Sequence, residues 1–168
     1  MRAARIDRPA SSIRTIIAAA SIPMAAAASL WAAGGRVLFG VEGQLTLMLA
    51  FTLGPVLFIL LLLAGLRTTA TACRYRPFAA PAGTCAVLAG AWLAALGFGA
   101  TVPDFGPAGG SVMSRLLGEG TLGISTALCN PLAIASLALA TAAVVMAYGD
   151  ARRTSRLLHG LPERGPED

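Results

Sequence analysis

The chain has 168 residues, of which 56% are hydrophobic and only 12% are charged. Soluble domains carry about 25% charged residues on average, so this composition excludes an ordinary soluble domain. The formal net charge of +5 comes from arginines beside apolar segments, where basic residues orient helices and meet lipid headgroups, and it does not indicate nucleic-acid binding.

Four segments contain no Asp, Glu, Lys or Arg, namely 15–35, 43–66, 77–103 and 120–149. Each reaches the length of about 20 residues that a helix needs to cross the hydrocarbon core. Continuous apolar runs exclude the alternating strands of a membrane barrel, so the segments predict helices. We therefore expect an all-α fold, an integral membrane four-helix bundle forming a single domain, 1–150, followed by a polar tail, 151–168. The predicted helices lie at about 14–34, 44–66, 82–101 and 123–148.

The arginines predict how the bundle is oriented. Only Arg36 and Arg115 fall in the first and third loops, whereas all the others lie at the termini or in the middle loop. The positive-inside rule then places both termini and the middle loop in the cytoplasm. Arginine without lysine, together with much alanine, favours a bacterial plasma membrane. The arginines on the predicted cytoplasmic side are Arg2, Arg5, Arg8, Arg14, Arg67, Arg74, Arg76, Arg152, Arg153, Arg156 and Arg164.

The first predicted helix has two interpretations. Arginines followed by an alanine-rich run also describe a secretory signal peptide, cleaved after a sequence such as 26–28. The run is long for such a peptide, and Trp31 occupies the position of an interfacial anchor, so we favour a retained helix. Pro23 is expected to bend this helix.

The second and third predicted helices contain few residues that indicate a bend or close packing. Pro55 is expected to bend the second helix, and Pro81 suits the first turn of the third. Small residues at Gly90 and Ala94 predict close helix packing on the third helix. The indole N–H of Trp92, near the middle of the membrane, needs a partner.

The loop after the third helix contains a candidate short helix. Ser111 can cap a helix in which Val112 and the following leucines share one face and Ser114 points away; a glycine-rich connector is the alternative. The acids of this loop, Asp104 and Glu119, are expected to be solvated. The tail beyond about 160 is expected to be disordered.

The fourth helix carries a stripe of small residues at spacings of three and four, which predicts close helix packing. The stripe either packs within the bundle or receives a partner helix. On the second interpretation, replacing Ala140 or Ala143 with Leu weakens assembly without abolishing insertion. The predicted packing residues are Ala133, Ser136, Ala140, Ala143 and Ala147.

Asn130 precedes Pro131 inside the same helix. Water channels of the aquaporin kind pair two Asn-Pro-Ala half-helices, whereas this chain has one Asn-Pro-Leu and only four predicted spans. The pair therefore predicts a kink with a polar contact, in which Asn130 bonds a freed carbonyl or a neighbouring helix.

No catalytic or metal-binding pattern is visible in the sequence. The three cysteines lack C-x-x-C spacing, the single histidine lies in the tail, and the predicted helices have no acidic or basic residue in their interiors. We expect no cofactor and no enzymatic activity.

Two functional hypotheses follow. The first is a non-enzymatic accessory or scaffold subunit that packs against a membrane partner. The second is a small homo-oligomeric carrier or pore for a neutral or apolar solute, with polar contacts from Thr52, Asn130, Ser136 and Thr141. A membrane enzyme is the least favoured class.

Overall fold

The computed structural model describes residues 11–41, 43–104 and 109–159, together with the backbone of 6 and 7. In these ranges the chain is helical apart from its connections and one two-residue parallel pairing, β1 (Ile6–Asp7) with β2 (Tyr75–Arg76). The prediction of an all-helical fold is confirmed. The expectation about the tail beyond 160 lies outside the described residues.

Six α-helices are present in the described part of the chain. They are α1 (Ser12–Gly34), α2 (Gln44–Phe51), α3 (Leu53–Ala72), α4 (Ala82–Thr101), α5 (Val112–Leu117) and α6 (Leu122–Leu158). Short 3-10 turns, Gly35–Phe39 and Glu119–Thr121, follow α1 and precede α6. By length and composition, four segments are long and apolar enough to cross a membrane: Ser12–Phe39, Gln44–Ala72, Ala82–Thr101 and Glu119–Leu158.

The second predicted helix is divided in the structure. Thr52, with φ −114° and ψ −83°, separates α2 from α3. Pro55 explains the position of the break, because its ring cannot donate a hydrogen bond and clashes with the carbonyl of Phe51, four residues earlier. By contrast, Pro23 and Pro131 lie inside uninterrupted helices. Pro81 is the N-cap of α4 rather than part of its first turn.

Two helices extend beyond the predicted limits. α3 continues to Ala72 instead of ending near 66, and α6 continues to Leu158 instead of ending near 148. Hydropathy marks where a helix leaves the apolar layer, but backbone hydrogen bonds continue wherever packing supports them. The first part of the predicted polar tail, up to Leu158, is therefore a continuation of α6.

The four long helices form a ring. α1 packs against α3 and α4, and α6 packs against the same two helices, so α1 faces α6 across one diagonal and α3 faces α4 across the other. None of the four is a central helix in this arrangement. Of the four candidate spans, α4 is the most buried and α6 is among the least.

The connection between α3 and α4 crosses one end of this ring. We call this end, which holds the start of α1 and the final turns of α6, the arginine end, and the opposite end the loop end. In the crossing segment, Tyr75, Ala79 and Ala80 are buried. Thr15 of α1 donates to the carbonyl of Phe78 at 2.8 Å. The segment thus covers the arginine end of the bundle.

Apolar side chains fill the interior of the ring. α3 contributes large leucines, α4 contributes aromatic and small residues, and α1 and α6 contribute alanines that let the helices approach closely. The main buried cluster comprises Ala25, Ala28, Ala32, Leu57, Leu61, Ala64, Leu88, Ala91, Trp92, Ala95, Phe98, Val102, Ala140 and Ala143.

Candidate functional site

A buried ion pair joins the connections at the loop end. Arg36, in the 3-10 turn after α1, and Asp104, after α4, are each at most 3% exposed, and Arg36 Nε lies 3.8 Å from Asp104 Oδ2. Thr46 of α2 bridges them: it accepts from Arg36 Nε at 3.0 Å and donates to Asp104 Oδ2 at 3.3 Å. The expectation that Asp104 is solvated is wrong, because the opposite charge of Arg36 compensates its burial.

The ion pair also depends on a close backbone approach. Gly43 lies against the Asp104 carboxylate, and a Cβ at this position would overlap the carboxylate oxygens. Sequence reasoning missed the pair. The available signal was one arginine just after the first helix and one aspartate just after the third, both on the same predicted side of the membrane.

Serine hydroxyls form a second buried cluster at the loop end. Ser111 accepts from the backbone N–H of Ser114 at 3.1 Å, and Ser114 Oγ accepts from the backbone N–H of Ser111 at 2.9 Å, which is a capping box. Ser125 Oγ lies 2.6 Å from both Ser111 Oγ and the Thr101 carbonyl. Ser125 is the donor in both contacts, so its single hydroxyl proton is shared between the Thr101 carbonyl and Ser111 Oγ.

This cluster confirms the predicted cap of α5 but corrects the predicted face. Ser114 is buried, whereas Leu116 and Leu117 are exposed. The hydrogen bonds at Ser111 turn the polar side of α5 inward, against the start of α6. The leucines are then left on the outside at the loop end.

Polar contacts at the arginine end hold the extension of α6. Tyr75 Oη lies 3.0 Å from Thr154 Oγ1, and both residues are buried. Thr84 of α4 donates to the carboxylate of Asp150. The Arg67 guanidinium stacks 4.4 Å from the centroid of the Tyr148 ring, so the extension of α3 beyond residue 66 contacts α6 there.

The small-residue stripe of α6 points mainly into the bundle. Ser136, Ala140, Ala143 and Ala147 are buried, and Ala133 is half-buried. The interface lies chiefly with α4, where Ala94 is buried and Gly90 is half-buried beside Leu139. The buried members of the stripe therefore pack within the bundle, against α4 and α3, and contact with a partner helix stays a prediction.

Asn130 and the three prolines at predicted kinks lie on the outside of the bundle. Pro23, Pro55, Asn130 and Pro131 are all exposed. The contact recorded for the Asn130 side chain within the described residues is a long one, from Cys129 Sγ at 3.8 Å to Oδ1. The expected hydrogen bond to a neighbouring helix is not among the contacts of the described chain.

The two tryptophans have different surroundings. Trp31 is half-buried, and its indole N–H donates to the Leu96 carbonyl of α4 at 2.9 Å, so it contacts a helix rather than serving only as an interfacial anchor. Gly99 provides the necessary space beside its ring. Trp92 is buried, and within the described chain its indole N–H has no hydrogen-bond partner.

Apolar cavities open on the side of the bundle. A groove of about 430 Å³ lies between α1 and the α2–α3 helices, and a cleft of about 440 Å³ lies between α2, the end of α4 and the first part of α6. Asn130 lines the cleft. The groove is lined by Ala26, Ser29, Leu30, Ala33, Ala50, Gly54, Pro55 and Phe58.

The polar groups suggested for a solute pathway are dispersed. Thr52, Asn130 and Thr141 are exposed on the outer surface, whereas Ser136 is buried and lies against the Ala133 carbonyl. The cysteines are free thiols: Cys73 is exposed, Cys85 buried and Cys129 half-buried. Among the described residues, no group of three His, Cys, Asp or Glu side chains is placed to hold a metal ion.

Comparison with known proteins identifies no relative. No protein-family model matches the sequence, and no curated protein or solved structure matches it significantly.

Proposed function

We propose that the chain is a non-enzymatic multi-pass membrane protein that acts as an accessory or scaffold subunit. The observation that carries this proposal is the contrast between interior and surface. Apolar side chains fill the interior, whereas exposed leucine, isoleucine, valine and phenylalanine side chains cover much of the outer surface of the long helices. Lipid accepts such a surface, and so does a partner helix.

Polar contacts between helices support the same proposal. Ser21 Oγ of α1 lies 3.0 Å from Thr69 Oγ1 of α3, and Thr69 donates to the Ala18 carbonyl at 3.1 Å. Such contacts join helix to helix, as do the buried ion pair and the serine cluster. They stabilise one arrangement of the bundle, which is what a scaffold requires.

The proposed location is a bacterial plasma membrane with both termini in the cytoplasm. The distribution of arginine supports the orientation, because eleven of the thirteen lie at the termini or around the crossing segment. The alanine-rich, lysine-free composition supports the bacterial origin.

Purification from the native membrane tests the proposed function. The chain is tagged at its C-terminus and extracted in a mild detergent, and the proteins that co-purify are identified and quantified. We expect a distinct, larger membrane protein at a constant ratio to the chain. Recovery of the chain alone, or only with further copies of itself, would contradict the accessory-subunit proposal.

A further inference from the structure

An exposed arginine at the arginine end is held in place by an aromatic ring. Arg67 of α3 lies over Tyr148 of α6, with its guanidinium carbon 4.4 Å from the ring centroid. The ring covers one face of the planar guanidinium, which has only hydrogen-bond donors. Among the described residues, none accepts a hydrogen bond from Arg67 or forms an ion pair with it. The N–H edge of this guanidinium is therefore available to a ligand that supplies acceptors.

A second exposed arginine stands beside the same ring. Arg152 lies one turn after Tyr148 on α6, and residues four apart are neighbours on a helix surface. The Cα–Cβ bonds of a helix tilt toward its N-terminus, so the side chain of Arg152 starts in the direction of the ring. Arg153 is also exposed, but it lies about 100° further around the helix. We call Arg67, Tyr148 and Arg152 the arginine seam.

The positive charge of the arginine seam is not compensated within the described chain. The carboxylates whose side chains the structure describes are Asp104, Glu119 and Asp150. The first two lie at the loop end. Asp150 accepts a hydrogen bond from Thr84 of α4, and it lies about 200° around α6 from Tyr148. A ligand at the seam therefore meets two guanidinium groups and no described carboxylate.

The arginine seam also lies where the apolar surface of two helices ends. Arg67 is the first charged residue after the apolar run of α3, and Tyr148 is close to the end of the apolar run of α6. One turn nearer the middle of the bundle, Leu63 and Val145 are exposed on the same two helices. An exposed apolar strip that leads to a pair of arginines has the polarity of a phospholipid, whose acyl chains lead to a phosphate.

We propose that an anionic phospholipid binds at the arginine seam. Its phosphate oxygens accept charge-assisted hydrogen bonds from Arg67 and Arg152, and its acyl chains lie along the exposed apolar surface of α3 and α6. Basic sites between membrane helices suit anionic headgroups, whereas the ammonium group of a zwitterionic lipid would meet two uncompensated guanidinium groups. The apolar strip favours a lipid over an acidic protein segment, which would match the charge alone.

Native mass spectrometry of the purified, delipidated protein tests the lipid preference. The protein in detergent is titrated with phosphatidylglycerol or with phosphatidylethanolamine of the same acyl chains. We expect phosphatidylglycerol to bind with a clearly lower dissociation constant. Glycerol phosphate, which lacks acyl chains, should not displace it at an equal concentration. Equal binding of the two lipids, or displacement by glycerol phosphate, would overturn the proposal.

Charge-matched variants locate the site. Arg67→Gln and Arg152→Gln should each raise the dissociation constant for phosphatidylglycerol about fivefold, the contribution of one basic residue near an anionic lipid. Arg153→Gln is the control, because it removes the same charge from the next position along α6, on a different face. Its dissociation constant should stay close to that of the wild type. Equal weakening in Arg153→Gln would show a diffuse attraction and no site at the seam.

The ring of Tyr148 is tested as a positioning group. Tyr148→Leu leaves the charge unchanged but removes the platform under Arg67, so we expect the dissociation constant to rise by roughly two- to fivefold. Tyr148→Phe keeps the ring and should bind the lipid like the wild type. Circular dichroism measures the helix content of each variant. Equal binding by Tyr148→Leu and Tyr148→Phe would contradict the positioning of Arg67 by the ring.

This inference goes beyond the accessory-subunit proposal and requires only that the chain spans a membrane. A stoichiometric protein partner without lipid preference supports the first proposal and removes the second. If that partner is also lost in Arg67→Gln, the seam binds an acidic protein segment instead of a lipid. Lipid preference in a chain that purifies without a partner supports the arginine seam and removes the accessory-subunit proposal.

Discussion

Arg36 and Asp104 show how a charge is accommodated inside this apolar chain. Each side chain is almost completely buried, and each is compensated by the other and by Thr46. Taking charges out of water is costly, so such a pair adds little net stability, whereas the loss of one partner leaves an uncompensated buried charge. The pair therefore fixes how the two loop-end connections meet.

Asp104→Asn should destabilise the fold strongly. The variant leaves the Arg36 guanidinium without its counter-charge, for which we expect a loss of about 3 kcal/mol in the free energy of unfolding. The measurement is an unfolding titration in detergent micelles. Glu119→Gln removes an exposed carboxylate and should change the free energy by less than about 0.5 kcal/mol. Equal effects of the two variants would show that the Arg36 pairing contributes nothing.

Two glycines should respond to alanine in opposite directions. A Cβ at Gly99 would lie within 2.8 Å of the Trp31 ring and carbonyl, whereas no atom lies within 4 Å of a Cβ at Gly149. We expect Gly99→Ala to destabilise the bundle by about 1–3 kcal/mol, because α1 and α4 must separate. Gly149→Ala should stabilise α6 by up to about 1 kcal/mol. Thermal unfolding of the two purified variants measures both changes in stability. Melting temperatures that shift in the same direction would contradict the close approach of Trp31 to Gly99.

The packing of α4 against α6 shows that a pattern of small residues predicts a packing face but does not predict which helix covers it. The spacing of Ala133, Ser136, Ala140, Ala143 and Ala147 indicates a face suited to close approach. The neighbour that covers this face depends on the ring arrangement, in which α6 lies beside α4 and α3. The surface of α6 that remains free is the one that carries Asn130.

Ala140→Leu tests whether the stripe is internal. Ala140 is fully buried, so the larger side chain should overpack the core and lower the free energy of unfolding by about 1–3 kcal/mol. Ala138→Leu, an exposed position on the same helix, is the control and should unfold like the wild type. Unfolding is followed by circular dichroism during denaturation of the purified protein. If Ala140→Leu leaves unfolding unchanged, the stripe does not pack inside the bundle.

At the scale of the whole molecule, the ring has chemically different ends. The crossing segment and the extension of α6 cover the arginine end, whereas the ion pair and the serine cluster close the loop end. The proposed orientation places the first end in the cytoplasm. The exposed Cys73 lies at that end, and the exposed Leu117 lies at the other.

Thiol labelling of intact cells tests this orientation. In a chain whose Cys85 and Cys129 are replaced by alanine, a membrane-impermeant maleimide should leave Cys73 unlabelled until the cells are opened. Leu117→Cys, in the same background with Cys73 also replaced by alanine, should be labelled without opening the cells. The reverse pattern would place the termini outside.

Features that depend on neighbouring residues can be predicted from the amino-acid sequence alone. Charge-free runs of spanning length indicated the four helices, and the end of α1 at Gly34 and the bounds of α4 agree with the predicted limits. Ser111 indicated the start of α5, because capping is a local hydrogen bond. Hydropathy and capping act within a few turns of the chain, and a single sequence displays them directly.

Which distant residues meet depends instead on how the helices are packed together. The pairing of Arg36 with Asp104, the contact of Ser125 with Ser111 and the contact of Tyr75 with Thr154 all join parts of the chain that no local pattern connects. The continuation of α6 to Leu158 also depends on tertiary contacts. The hydrogen bonds from Tyr75 to Thr154 and from Thr84 to Asp150 stabilise the polar turns at the end of this helix. The free energy of such contacts depends on how the helices are arranged, and periodicity along one helix does not encode that arrangement.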